Sequence, residues 1–99
     1  MSRKIKISFA ESAISDLEEI CSWYTEQQVP DIGISLVNEI FNKTEGLNAF
    51  PESGRIVPEF SISSLREIIF PPFRIVYKLE DNRVMIVRVW RTERFLKIP

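Results

Sequence analysis

Residues 73–90 read FRIVYKLEDNRVMIVRVW, which is the pattern of a β-hairpin. Two runs rich in β-branched and aromatic residues, 73–79 and 84–90, are separated by a short polar segment with Asp81-Asn82 at its centre. Such runs favour strands, and a pair of small polar residues between them is typical of a tight turn. The sequence therefore predicts two antiparallel strands that pair with each other.

The register of this hairpin assigns each side chain to one face of the sheet, because side chains alternate between faces along a strand. If Asp81 and Asn82 form a two-residue loop, then Tyr77 pairs with Ile86, Ile75 with Arg88 and Phe73 with Trp90. One face then carries Phe73, Ile75, Tyr77, Leu79, Val84, Ile86 and Trp90. The other carries Arg74, Val76, Lys78, Met85, Val87, Val89 and Arg91. We expect helices to cover the first face, and an extended apolar or anionic partner to bind the second.

Upstream of the hairpin, the periodicity predicts one strand followed by two helices. Residues 4–9 alternate between polar and apolar, whereas from Glu11 the apolar residues recur at spacings of three and four. The inward-facing positions of the first helix are Ala13, Leu17, Ile20, Cys21 and Tyr24, and those of the second are Val37, Ile40, Phe41, Thr44 and Leu47. Pro30 separates the helices, and Asp31 is predicted to cap the second, which runs to about Asn48. Arg88 falls on the apolar face of the hairpin, so we expect it to pair with Asp16 or Glu19 of the first helix.

The remaining segments complete the fold. Residues 50–55 have the composition of a turn, and the run 65–70 reads as a further strand that ends at Pro71-Pro72. The sequence thus predicts a single α+β domain over residues 1–99, with the order β-α-α-β-β-β and a possible additional strand. We expect an antiparallel sheet with the N-terminal helix hairpin packed on one face.

The composition excludes several classes of protein. The chain contains no histidine, one cysteine and three glycines. It therefore lacks imidazole-based catalysis, internal disulfides, thiolate metal clusters and the glycine-rich nucleotide-binding loops. No metal site and no cofactor are expected. The apolar runs are too short for a membrane span and follow no secretion signal, so we expect a cytoplasmic protein without a membrane partner.

Charge is divided unevenly along the chain. The net charge of −1 is the sum of +3 over residues 1–10, −8 over residues 11–54 and +4 over residues 55–99. Arginine dominates the basic C-terminal part, and its guanidinium group suits bidentate contacts with carboxylates or phosphates. This division indicates either an anionic partner or acidic helices that neutralise a basic sheet.

Motifs over nearly the whole chain resemble the RelE/ParE superfamily of type II toxins. They begin with Ala13-x-x-Asp16-Leu17-x-x-Ile20 and continue with Leu47-x-x-Phe50-Pro51-x-x-Gly54-Arg55-x-Val57-Pro58-Glu59. The sheet adds Leu65-Arg66-Glu67-Ile68, Phe73-Arg74-Ile75-Val76-Tyr77 and Val84-Met85-Ile86-Val87-Arg88-Val89-Trp90-x-x-x-Arg94. The resemblance implies a growth-arresting toxin, of the kind that also stabilises plasmids. It further implies a cognate antitoxin whose extended C-terminal segment lies on the sheet and the helix hairpin, with toxin dimers or heterotetramers as possible assemblies.

The resemblance leaves the target open, since RelE-like members cleave mRNA on the ribosome and ParE-like members inhibit DNA gyrase. A metal-independent endoribonuclease would use Arg74, Arg66 and Glu67 as catalytic residues, but proton transfer is poorly served. Arg91 stands where many members carry histidine after the last tryptophan, and an arginine does not exchange protons near neutrality. This, together with the long ParE-like helix hairpin, favours gyrase inhibition without enzymatic activity. The alternatives are a ribosome-dependent nuclease and a non-toxic binding module.

The residues predicted to contact the target or the antitoxin are all basic. They are Arg55, Arg74, Lys78, Arg91 and Arg94. Trp23 falls beside the core stripe of the first helix and would mark a further protein contact if it is exposed.

Overall fold

The computed structural model describes residues 5–92, which form two helices packed on one face of a five-stranded sheet. The elements are β1 Lys6–Phe9, α1 Glu11–Glu26, α2 Pro30–Glu45, a 3-10 turn Gly46–Asn48, β2 Arg55–Ile56, β3 Leu65–Phe70, β4 Phe73–Glu80 and β5 Arg83–Arg91. Within the described residues, neither helix has the length and apolar character needed to cross a membrane.

The strands lie in the order β1-β5-β4-β3-β2. Neighbouring strands are antiparallel except for β1, which runs parallel to β5 and pairs with it from Lys6–Arg83 to Phe9–Ile86. The α+β class predicted from the sequence is confirmed, and the parallel pair makes the sheet mixed.

The two helices form the predicted hairpin and bury one apolar stripe each. The buried apolar residues Ala13, Leu17 and Ile20 of α1 pack with Ile40 and Leu47 against the sheet. Close approach of the helices depends on Gly33, where a Cβ atom would lie 3.0 Å from the Cβ of Tyr24.

Two expectations about α2 were wrong. The helix begins at Pro30 with Val29 as its N-cap, so Asp31 lies inside the first turn. Proline suits this first position, because its missing N–H has no helical partner there. Phe41 lies at the rim of the core, 40% exposed, with its ring edge against Phe9.

The β4–β5 hairpin follows the predicted register only near its turn. Glu80 pairs with Arg83, Leu79 with Val84 and Tyr77 with Ile86, but Val76 then pairs with Arg88. One extra residue, Val87, is thus inserted in β5 opposite the Val76–Tyr77 step, which is a β-bulge. The predicted pairs Ile75–Arg88 and Phe73–Trp90 are therefore wrong.

The bulge exchanges the two faces for the last residues of β5. Val89 pairs with Ile75 and is buried in the core beneath the helices, although the register had placed it on the other face. Trp90 pairs with Arg74, and Arg91 pairs with Phe73. Each of these side chains thus lies on the face opposite to the one predicted.

The second face of the sheet, which we call the far face, points away from the helices. Phe73, Ile75 and Tyr77 belong to the core under the helices, so the alternating Arg74, Val76 and Lys78 lie on the far face, as predicted. Glu67 and Ile69 of β3 pair with Val76 and Arg74 and share this face. The far face therefore combines charged and apolar side chains.

Candidate functional site

Arg74 lies at the centre of the far face, but it is not the open cation that the sequence predicted. Only 5% of the residue is exposed, and its guanidinium group contacts two carboxylates. Nε donates to Oε1 of Glu67 at 2.6 Å, while Nη1 and Nη2 donate to Oε2 and Oε1 of Glu59 at 3.0 and 2.9 Å. The positive charge of Arg74 on the far face is thus balanced by neighbouring carboxylates.

Glu67 joins Arg74 to a second arginine. Its Oε2 accepts a hydrogen bond from Nε of Arg55 at 2.6 Å, and its side chain has no exposed surface. Arg55 pairs with Glu67 across β2 and β3, and 60% of its side chain is exposed. We call Arg55, Glu59, Glu67 and Arg74 the Arg74 cluster.

The electrostatics of the cluster follow from these contacts. Hydrogen bonding to Arg74 lowers the pKa of Glu59, and the same contact raises the pKa of Arg74, in each case against the effect of burial. A carboxylate with a lowered pKa is a weak proton acceptor. Both oxygens of Glu67 are occupied by arginines, and the side chain cannot reach a substrate from its buried position.

Tyr77 anchors the turn that precedes β2 and lies under the helices, as the alternation predicted. Its hydroxyl donates to the carbonyl of Pro51 at 2.8 Å and accepts the N–H of Gly54 at 2.9 Å. Burial raises the pKa of this phenol. A Cβ atom at Gly54 would lie 2.6 Å from the Tyr77 hydroxyl, so this position admits glycine alone without rearrangement.

The other predicted site residues lie apart from the cluster. Arg66 pairs with Tyr77, and its guanidinium group donates to the carbonyls of Ser63, Glu52 and Gly54. Lys78 shares the far face, but its amino group lies 3.8 Å from Glu80, and 53% of its side chain is exposed. Arg94 lies outside the described residues.

Arg91 lies at the end of α1 instead of on the far face. Its guanidinium carbon is 5.5 Å from the ring centre of Trp23 and 5.6 Å from that of Phe73. Trp23 is 48% exposed, so this corner of the molecule presents an aromatic ring and a cation together. A groove of about 520 Å³ beside it is lined by residues of α1 and of the end of β5.

The structure therefore brings together Arg55, Glu67 and Arg74 of the predicted residues, and adds Glu59. Glu59 belongs to one of the sequence motifs, but no role was predicted for it. A turn residue has no periodicity from which the direction of its side chain could be predicted. The position of Arg91 depends on the bulge at Val87, which no residue of the hairpin signals.

Comparison with known proteins gives one family and several similar structures. Residues 7–95 match the family model described as ParE toxin of type II toxin–antitoxin system, parDE. No curated protein matches the chain.

Similar solved structures span almost the whole chain at low sequence identity. A chromosomal ParDE system from P. aeruginosa has a TM-score of 0.76 at 20% identity, covering 91% of this chain and 98% of that chain. The RelBE2 toxin–antitoxin complex from Mycobacterium tuberculosis has a TM-score of 0.62 at 18% identity, covering 92% and 94%. A conserved hypothetical protein from Helicobacter pylori has a TM-score of 0.58 at 18% identity, covering 90% and 96%.

Proposed function

Since the chain belongs to the ParE family of type II toxin–antitoxin toxins, we propose that it arrests growth by inhibiting DNA gyrase and that a cognate antitoxin neutralises it. The proposal treats the chain as a binding inhibitor and not as a nuclease.

The observation that carries this proposal is that the Glu67 side chain is buried and paired with two arginines. Cleavage of RNA requires a group that accepts the proton of the 2′-hydroxyl and another that protonates the leaving oxygen. Glu67 has 0% of its side chain exposed and binds two arginines, and Glu59 has a lowered pKa. Tyr77 is committed to the turn on the opposite face. These groups do not form an acid–base pair around Arg74.

The helix hairpin supports the same choice. Each of α1 and α2 has 16 residues, and the long hairpin is the feature by which the sequence resembles ParE-like rather than RelE-like members. The matched family model points in the same direction.

An antitoxin partner is supported by exposed apolar side chains beside the far face. Ile69, Phe60 and Ile62 are between 43% and 53% exposed, which is high for residues of this size. An extended polypeptide could cover them together with the arginines of the cluster. The similar structures named ParDE and RelBE2 are themselves described as toxin–antitoxin systems or complexes.

The decisive experiment measures two activities of the same purified chain. We expect it to inhibit supercoiling of relaxed plasmid by purified gyrase, and to leave messenger RNA intact in a translating ribosome extract. Addition of the antitoxin encoded beside the gene should restore supercoiling. Cleavage of the translated message with undisturbed supercoiling would identify a ribosome-dependent nuclease instead. A chain that affects neither target and permits normal growth when expressed alone would be a binding module.

A further inference from the structure

The turn over residues 58–61 holds one acidic side chain against Arg74. It is anchored by Val57, which is fully buried and whose carbonyl accepts the N–H groups of Phe60 and Ser61 at 3.2 and 3.0 Å. From this turn Glu59 reaches the outer edge of the Arg74 guanidinium group with both carboxylate oxygens. Two parallel N–H···O bonds are the geometry by which arginine binds any free carboxylate.

The two carboxylates on Arg74 differ in how firmly they are held. Glu67 belongs to a strand, has no exposed side-chain surface and bridges Arg55 to Arg74. Glu59 belongs to a turn, and 40% of its side chain is exposed. Glu67 is therefore a fixed part of the cluster, whereas water and other solutes reach Glu59.

Removal of Glu59 would take one negative charge away from the Arg74 cluster, while Glu67 would keep its contact with Arg74. In the intact structure Glu59 covers the Nη1 and Nη2 atoms, and only 6% of the Arg74 side chain is exposed. A carboxylate offered from outside would therefore meet the same pair of donors that Glu59 now occupies.

We propose that Glu59 is the internal occupant of a carboxylate-binding site, and that an acidic side chain of an extended partner polypeptide displaces it from Arg74. The neighbouring surface favours a polypeptide over a nucleic-acid backbone. Phe60 directly follows Glu59 in the turn, Ile62 follows the turn, and Ile69 pairs with Arg74 in the sheet. All three are exposed and offer apolar contacts to the polypeptide that carries the acid. The identification of the polypeptide with an antitoxin rests on the proposed function.

The test compares anion binding by the purified wild-type chain with binding by Glu59→Ala. The probes are a short apolar peptide with one central glutamate, the same peptide with glutamine, and a single-stranded oligonucleotide. Affinity is measured for every variant by isothermal titration calorimetry. In the chains that keep Arg74, the NMR signal of its Nε–H group, assigned through Arg74→Lys, shows whether the peptide binds there. We expect Glu59→Ala to bind the glutamate peptide about tenfold more tightly than the wild type, because the Glu59 carboxylate no longer competes. The glutamine peptide should bind neither protein measurably.

Further variants separate this mechanism from general effects. Glu59→Gln keeps the shape of the side chain without its charge and should also bind more tightly than the wild type. Glu80→Ala removes a partly exposed acid that contacts Arg83 and should behave as the wild type does. Glu59→Ala combined with Arg74→Lys should lose the gain, since lysine lacks the bidentate fork.

Three outcomes would overturn the proposal: equal affinity of wild type and Glu59→Ala, a gain that survives Arg74→Lys, or preference for the oligonucleotide over the glutamate peptide. Gyrase inhibition is measured separately. If the chain inhibits gyrase but Glu59→Ala shows no gain in affinity for the peptide, only the displacement of Glu59 is refuted. If the gain is found but gyrase is not inhibited, only the proposed target is refuted.

Discussion

Asp16 and Arg88 form a two-pronged ion pair between α1 and β5, with Nε–Oδ2 and Nη2–Oδ1 distances of 2.8 and 2.9 Å. The same Oδ2 atom accepts the backbone N–H of Val89 at 2.8 Å. The β1 strand pairs with β5 only as far as Ile86. Beyond Ile86, the Asp16 carboxylate therefore accepts a β5 backbone N–H that a neighbouring strand would otherwise bind. The hydrogen bonds between Asp16 and Arg88 also raise the pKa of Arg88.

Replacement of Asp16 should destabilise the fold mainly through Val89. Asp16→Ala leaves the buried Val89 N–H without its acceptor, which costs about 2–3 kcal/mol of the free energy of unfolding. Asp16→Asn should cost less, because its amide oxygen can still accept this N–H. Urea denaturation of the two variants measures the difference.

Arg88→Ala is the matched control for the ion pair. The Arg88 side chain is 40% exposed, so its loss should cost about 1 kcal/mol or less. If Arg88→Ala were as destabilising as Asp16→Ala, the ion pair and not the backbone contact would dominate.

Gly54→Ala should disturb the packing of Tyr77. The added Cβ atom would lie 2.6 Å from the Tyr77 hydroxyl and 2.7 Å from the carbonyl oxygen of Glu67. Since Tyr77 is fully buried, we expect a loss of about 1–3 kcal/mol in the free energy of unfolding.

Gly46→Ala provides the opposite case in the same chain. Its backbone is helical, with φ −63°, and a Cβ atom would meet nothing within 4 Å. Alanine should therefore stabilise the protein by about 0.4–1 kcal/mol by restricting the unfolded chain. Thermal denaturation of both variants checks the sign, and a shift in the same direction for both would contradict the steric account.

The Tyr77 hydroxyl should stabilise the fold, and this stabilisation should be lost at alkaline pH. Tyr77→Phe leaves the Gly54 N–H without its acceptor and should cost about 1–3 kcal/mol. Because the folded protein raises the pKa of Tyr77 above its ordinary value of 10.0, this contribution is fully present below that pH. It is lost as the pH rises through the raised value. The ultraviolet absorbance difference between wild type and Tyr77→Phe follows the phenolate, and a transition at or below pH 10.0 would contradict the expected direction.

The general architecture follows from patterns that repeat along the chain. The alternation in 73–79 and the helical spacing of Ala13, Leu17 and Ile20 reflect burial of one face, and both predictions are confirmed. Asp16 was correctly predicted as a possible partner of Arg88. The reason given was wrong, because the bulge places Arg88 opposite Val76 of the far face and not opposite Ile75 of the apolar face.

The details of the site could not be predicted from the sequence, for two physical reasons. A bulge adds one residue to a strand without altering its apolar character, so β-branched Val87 gives no sign that Val89 and Arg91 change faces. The exposure of Arg74 depends on Glu59, whose position is set by the turn beyond β2 and not by any repeat.

Lys78 allows a test of whether the far face contacts the target. It is an exposed cation of that face, two residues along β4 from Arg74, and its replacement disturbs a 3.8 Å contact with Glu80. If gyrase binds this face, Lys78→Ala should weaken inhibition of supercoiling by roughly threefold to tenfold without loss of stability. Lys43→Ala is the control, because Lys43 belongs to α2 and lies 5.4 Å from the ring centre of Phe70. Unchanged inhibition by Lys78→Ala, or an equal loss with Lys43→Ala, would assign the target to another surface.

The decrease in the free energy of unfolding at acid pH should depend on Glu59. Since Arg74 lowers the pKa of Glu59, its stabilising contribution is fully present above the ordinary value of 4.5 and is lost as the pH falls through the lowered value. Glu59→Gln cannot make this charged contact at any pH. The gap in free energy of unfolding between wild type and variant should therefore be largest near neutral pH and close in acid. Urea denaturation across this range measures the gap for Glu59→Gln and, as a control, for Glu80→Gln. A gap for Glu59→Gln that stays constant down to the lowest pH would mean that the side chain contributes through packing and not through its charge on Arg74.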